Sequence, residues 1–142
     1  MGHLTGKTAI ITGGGRAVLT DGTCGSIGYG IATAYAKEGA NLVLTGRNMQ
    51  KLTDAKTELE DLYKIKVLPI QADVSAGSNN EAIVQNVINK TIETFGSIDV
   101  LINNAQASAS GVSIADHTTT QFDLAIYSGL FAAFYYMPAC YP

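Results

Sequence analysis

KTAIITGGG, residues 7–15, is the stretch that decides the fold. Its first six residues form a short apolar run, β-branched toward the end and closed by Gly13-Gly14-Gly15. That is the pattern of a buried strand entering a tight turn. Further on the period changes. Ile27, Ile31 and Tyr35 recur every four residues beside Gly28, Ala32 and Ala36. This predicts a helix over residues 27–38 whose small-residue seam can lie close against a sheet.

Outward from this unit the alternation repeats. Gly39-Ala40 breaks the helix, and residues 41–45 (NLVLT) read as a second strand, ended by Gly46-Arg47-Asn48. Asn48 is a suitable N-cap for a second helix, in which Leu52, Ala55, Leu59 and Leu62 recur at steps of three and four. A third strand is predicted at 66–72, ending in Asp73-Val74. A third helix follows, traced by Val84, Val87, Ile88, Thr91, Ile92 and Phe95 and stopped by Gly96. Residues 99–105 (DVLINNA) form the fourth expected strand, and 118–137 an apolar helix running up to Pro138. Residues 76–80 and 106–120 read as loops. Strands separated by helices of this length require right-handed crossovers and a parallel sheet covered on both faces. The expected fold is a doubly wound α/β domain of about four strands with flanking helices, in a single unit over residues 1–142.

The totals exclude several function classes. With 46% hydrophobic and 15% charged residues, the chain has the composition of a globular domain, not of a disordered one. A net charge of −3 with scattered basic residues argues against nucleic acid as a partner. Cys24 and Cys140 match no metal-ligand spacing and no disulfide framework, so both are expected as free thiols, with no metal site. No apolar run is long enough to span a bilayer, and Gly6 stands where an N-myristoylation pattern needs Ser or Thr. No membrane association is expected, and a cytoplasmic location is.

Ligands of open parallel sheets bind beyond the carboxyl ends of the strands, here near Thr12, Gly46, Asp73 and Ala105. At the first end, Gly13 and Gly15 let a backbone approach a pyrophosphate, and Ser26-Ile27-Gly28 would open the next helix with unpaired N–H groups. The plainer reading is a tight connection. At the second end, a free ribose 2′-OH is usually held by a carboxylate, whereas a 2′-phosphate needs a cation and no acid. Gly46 leaves space and Arg47 supplies a planar guanidinium, unless Arg47 is only a solvated loop cation. Asp73 can accept from an adenine amino group or cap its own turn. Asn103 and Asn104 can tie strand ends together and approach a ribose, or simply supply turn polarity.

Taken together, Thr12-Gly13 with Gly28, Asp73-Val74 and Asn103-Asn104-Ala105 resemble the motifs of the short-chain dehydrogenase/reductase family over nearly the whole chain. The resemblance implies a Rossmann-like fold and NAD(P)-dependent hydride transfer between a carbonyl and an alcohol. The cofactor-binding set it implies is Gly13, Gly15, Ser26, Ile27, Gly28, Arg47, Asp73, Val74, Asn104 and Ala105, with NADP(H) favoured over NAD(H). The family completes its chemistry with a serine, a tyrosine and a lysine. None of the seven tyrosines here has a lysine four residues on, so no catalytic residue is assigned within residues 1–142, and the catalytic and substrate-binding half is expected to be lacking. His117, a lone histidine in a polar loop, is given no role.

Three departures stand out. Twelve residues separate Gly13 from Ser26 where the family usually has three, a nine-residue insertion. Residues 16–24 (RAVLTDGTC) are therefore expected over the cofactor mouth, as a lid, as a plain surface loop, or with Arg16 reaching a phosphate. Gln106 stands where the family commonly has glycine. Gly129 falls where it usually has a catalytic asparagine. The segment Ser26-Ile27-Gly28-Tyr29-Gly30-Ile31-Ala32 also resembles enoyl-acyl-carrier-protein reductases, which keeps that activity open. A non-catalytic NADP(H)-binding module is the third reading. Phe122, Ile126, Leu130, Phe131, Phe134 and Met137 form a face expected to be exposed, and with it a homo-oligomer.

Overall fold

Helices cover both faces of the sheet, and that explains the near-continuous apolar strands. In the computed structural model, which describes residues 2–141, strands β1 (Thr8–Thr12), β2 (Asn41–Gly46), β3 (Val67–Gln71) and β4 (Val100–Ile102) are all parallel, in the order β3-β2-β1-β4. Ile10 sits in register with Val43 on one side and Leu101 on the other. Side chains alternate between two cores. Ala9, Ile11, Leu42 and Leu44 meet helices α1 (Ile27–Lys37) and α2 (Met49–Tyr63). Ile10, Val43 and Ile70 meet α3 (Asn80–Phe95) and α5 (Ala132–Cys140). Each fully buried Leu or Ile contributes roughly 1.5–3 kcal/mol against its exposed state.

The small-residue seam of α1 behaves as its spacing predicts: Gly28, Ala32 and Ala36 are buried with Tyr29, while Ile31 and Tyr35 are half-buried. Ile27 is 77% exposed, because the seam, not the isoleucine column, faces the sheet. The Asn48 side chain accepts the Lys51 N–H at 3.0 Å and caps α2. Leu52, Ala55 and Leu59 are buried, but Leu62 in the last turn is exposed, as is Ile92 on α3.

Two boundaries differ from the sequence expectation. β4 is three residues long, not seven. After Ile102 the backbone leaves the ladder because the N–H groups of Asn104 and Ala105 turn to the Thr12 hydroxyl, at 3.0 and 2.9 Å. The helix after the loop does not stop before Pro138. It runs from α4 (Thr119–Ala125) through a π-helical turn (Ile126–Phe131) into α5, with Pro138 inside. Ala139 and Cys140 pack against the core beside buried Tyr136, which holds the last turn in place despite the missing N–H. The π turn also rotates the apolar face: Phe122, Leu130, Phe131, Phe134 and Met137 are exposed, but Ile126 is half-buried and Tyr127 is exposed instead.

The chain therefore builds β1, β2 and β3 in one direction and then crosses back to lay β4 on the far side of β1. That reversal sets the crevice between the ends of β1 and β4.

Candidate functional site

Thr12, at the end of β1, organises the crevice. Its buried hydroxyl accepts from Asn104 N and Ala105 N and donates to the Ile102 carbonyl at 3.3 Å. The Asn104 side-chain amide then donates to the Thr12 carbonyl at 2.9 Å and lies 3.4 Å from that of Gly13. Thus Asn104 serves as a strand tie, one of its two expected uses.

The glycine turn is set by contact. Gly13 has φ +71°, a left-handed conformation that favours glycine. Gly13 and Gly14 both donate their N–H to the Thr45 carbonyl, at 2.8 and 3.1 Å, so neither is free for a ligand. The open donors come from α1. Ser26 Oγ accepts the Tyr29 N–H and the Ser26 carbonyl accepts that of Gly30; among the described residues the N–H groups of Ile27 and Gly28 have no acceptor. They sit at the positive end of the helix dipole. Gly28 lies so close to Gly13 that a Cβ there would stand 2.1 Å from the Gly13 carbonyl oxygen. Gly15 instead abuts α2, where its Cβ would meet Lys51 Cβ at 3.1 Å.

A cavity of about 230 Å³ at the strand ends brings together Gly13, Arg47, Asp73, Val74, Asn104 and Ala105, six of the ten expected residues. Gly28 packs against Gly13 at its edge, whereas Gly15, Ser26 and Ile27 do not line it. Arg47 also lines a neighbouring cavity of about 740 Å³ with Asp73, Asn79 and Asn86. Among the described residues the exposed Arg47 guanidinium has no carboxylate within ion-pair distance. Asp73 caps its own turn through Ser75, whose N–H and hydroxyl reach Oδ1 at 2.9 and 2.6 Å. Burial opposes the charged form of Asp73, but the Ser75 bonds and the nearby Arg47 charge outweigh it and leave the carboxyl below its usual value.

Of the readings expected for the insertion, the plain surface loop is the one its packing fits. Val18 and Cys24 close it as a small antiparallel bridge, Arg16 N donates to Lys51 O at 2.8 Å, and the Arg16 side chain pairs with Glu58 on α2. None of residues 16–24 lines either cavity at Arg47. Arg16 is thus committed to a protein carboxylate, and the loop packs along α1 and α2 because its half-buried Val18 joins their core. Gln106 avoids left-handed strain: among the described residues Lys64 is the one non-glycine with positive φ. His117 Nδ1 lies 3.1 Å from the Ser113 carbonyl of its own loop.

Two further residues build the site. Ser128 Oγ, fully buried in the π turn, accepts the Ala107 N–H at 2.9 Å and lies 2.7 Å from the Leu124 carbonyl. Asn80, also buried, donates to the carbonyls of Val74 and Tyr127. A small polar residue inside an apolar helix was the available signal for Ser128. The Asn80 contacts span up to 47 residues and leave none. Both cysteines are free, no described group of His, Cys, Asp and Glu can hold a metal, and no described helix is long and apolar enough to cross a membrane.

A parallel sheet ordered β3-β2-β1-β4, with a glycine turn and a strand-tying asparagine at its switch point, defines a Rossmann-like α/β domain. The chain belongs to the short chain dehydrogenase family, whose sequence profile matches residues 7–142. It is 63% identical to a 12alpha-hydroxysteroid dehydrogenase of Clostridium sp., over all of this chain and 52% of that protein. The L-sorbose reductase of Gluconobacter frateurii, solved with NADPH and L-sorbose, superposes with a TM-score of 0.80 at 27% identity, over 96% of this chain and 47% of that one. An alcohol dehydrogenase of the archaeon Thermococcus sibiricus, solved with 5-hydroxy-NADP, gives 0.80 at 27%, over 94% and 51%. The chain spans about half the length of these relatives.

Proposed function

We propose that this chain binds NADP(H) in preference to NAD(H), as the cofactor-holding part of a dehydrogenase that interconverts a steroid hydroxyl and its ketone. The observation that carries the cofactor reading is the end of β2, where Gly46 offers no acid and Arg47, without an ion pair among the described residues, lines both cavities. A carboxylate there would repel a 2′-phosphate; a guanidinium donates two N–H bonds to it in a bidentate geometry. The amides of Ile27 and Gly28 take the pyrophosphate, Asp73 and Val74 border the adenine, and Asn104 and Ala105 hold the β4 end of the crevice. When bound, the dinucleotide supplies or takes a hydride at a carbonyl carbon.

The 63% identity to a 12alpha-hydroxysteroid dehydrogenase supports a hydroxysteroid, and the carbonyl or alcohol chemistry over an enoyl thioester. The exposed apolar face of the π turn and α5, including Leu130, Phe134 and Met137, supports a homo-oligomer.

Titration of the protein with NADPH and with NADH, followed by nicotinamide fluorescence, tests the cofactor reading. Arg47→Ala is expected to weaken NADPH by about tenfold or more, the worth of a charge-assisted bond, and to leave NADH unchanged. Equal loss for both nucleotides, or no preference in the unmodified protein, rejects NADP(H) selectivity. For the substrate, the product of the full reading frame is expected to reduce NADP⁺ with a 12α-hydroxysteroid. Turnover of an enoyl thioester instead would reverse that assignment.

A further inference from the structure

We infer that Gln106 is a positioning residue for the nicotinamide-bearing half of the dinucleotide, working as a pair with the bare backbone of Gly129. The inference rests on the NADP(H) reading above. Strand order sets the direction of the ligand. Arg47 and Asp73 stand at the ends of β2 and β3, and the Gly13–Gly28 contact at the end of β1. A dinucleotide with its 2′-phosphate at Arg47 and its pyrophosphate at α1 must continue past β1 toward β4, because neighbouring strands are only about 4.8 Å apart and the molecule is much longer than one step. The residues it meets there are Asn104, Ala105 and Gln106.

Gln106 is the wall shared by two spaces. It lines the cavity that holds Arg47, and also an adjoining one of about 450 Å³ beneath the π turn. Its amide lies over Gly129, where a Cβ would stand 3.5 Å from Nε2 and 3.7 Å from Cδ. A methyl there is in ordinary contact, but any longer side chain would displace the amide. The loop is fixed independently of that amide: Ser128 holds Ala107, and Thr12 holds Ala105. Among the described residues the Gln106 side chain has no hydrogen-bond partner, although its backbone is clamped on both sides. A donor and acceptor held over the crevice without a protein partner suits a ribose hydroxyl or a carboxamide.

The test compares two ligands on the same protein: NADPH, and 2′,5′-ADP, which lacks the nicotinamide half. The unmodified chain should bind NADPH more tightly than 2′,5′-ADP. Gln106→Ala should weaken NADPH about tenfold, the worth of one or two hydrogen bonds, with 2′,5′-ADP unchanged. Gly129→Asn, which fills the place of the amide, should do the same, and circular dichroism should show both variants folded. The inference is overturned if either variant weakens both ligands equally, if Gln106→Ala keeps the NADPH to 2′,5′-ADP ratio, or if that ratio is one in the unmodified chain. Failure of the unmodified chain to bind either ligand overturns the dinucleotide reading itself.

Discussion

Replacing Gly28 by alanine sets two effects of opposite sign against each other. Helix propensity favours the change by about 1 kcal/mol, since Gly28 lies in the first turn of α1. The packing opposes it. The new methyl would stand 2.1 Å from the Gly13 carbonyl oxygen, 2.9 Å from its carbon and 2.5 Å from Asn104 Nδ2. A carbon–oxygen contact needs roughly 3.4 Å or more, so α1 must retreat by about 1 Å from a backbone atom that cannot rotate away. Overpacking of this kind costs about 3 kcal/mol, and here it also loosens the Asn104 tie. The net expectation is a loss of about 2 kcal/mol, seen as a fall in Tm of roughly 8 °C for a domain of this size, with NADPH binding abolished. Gly30→Ala is the control on the same helix. Its methyl would meet only the end of the Cys24 side chain, at 3.4 Å, so propensity wins and stability is unchanged or rises by up to about 1 kcal/mol. Calorimetry or urea unfolding reads both. Equal stabilities for Gly28→Ala and the unmodified protein, or retained NADPH affinity, would refute the close-approach argument.

Other consequences are equally direct. Asn104→Ala removes the bond to the Thr12 carbonyl and should cost about 1–3 kcal/mol in urea unfolding, with faster amide exchange at Gly13; an unchanged midpoint would contradict the tie. Ser128→Ala leaves the Ala107 N–H without its acceptor and should cost about 1–2 kcal/mol, with amide exchange at Ala107 accelerated. Asp99 accepts the Thr8 N–H and, next, the Lys7 ammonium, and both hold its carboxyl below the usual value. A depressed carboxylate stabilises the fold fully above its unfolded pKa of about 3.9 and loses that contribution as pH falls through the folded value. The stability gap between the protein and Asp99→Asn should therefore be widest at neutral pH and close below about pH 4; a gap independent of pH would contradict this.

Much of the architecture was legible because periodicity reports burial directly. Strand-length apolar runs at 7–12 and 41–45 can be satisfied only between two helical layers, and the helices placed by the Leu52–Ala55–Leu59 and Val84–Val87–Ile88 spacings supply those layers. The Asn48 cap was readable for the same local reason: its side chain bonds to an N–H three residues away. Where the reading failed, a distant partner decided. Pro138 stays inside a helix because Tyr136 anchors it to the sheet, and β4 ends early because Thr12 offers its hydroxyl. Among the options open for Arg16, a phosphate contact gives way to an ion pair with Glu58, 42 residues on.

By itself, then, the sequence determined the layered parallel sheet and the chemistry available at each strand end, since both depend on composition and spacing within about twenty residues. Only the tertiary structure decided which of those groups converge. Arg47 and Asp73 follow β2 and β3, Asn104 and Gln106 both follow β4, and the order β3-β2-β1-β4 brings these three strand ends to one cavity. Gly28 had to be glycine, and Gln106 came to lie over Gly129, through contacts of a few ångströms between segments far apart in the chain. Such contacts are set by packing geometry, which no local pattern encodes.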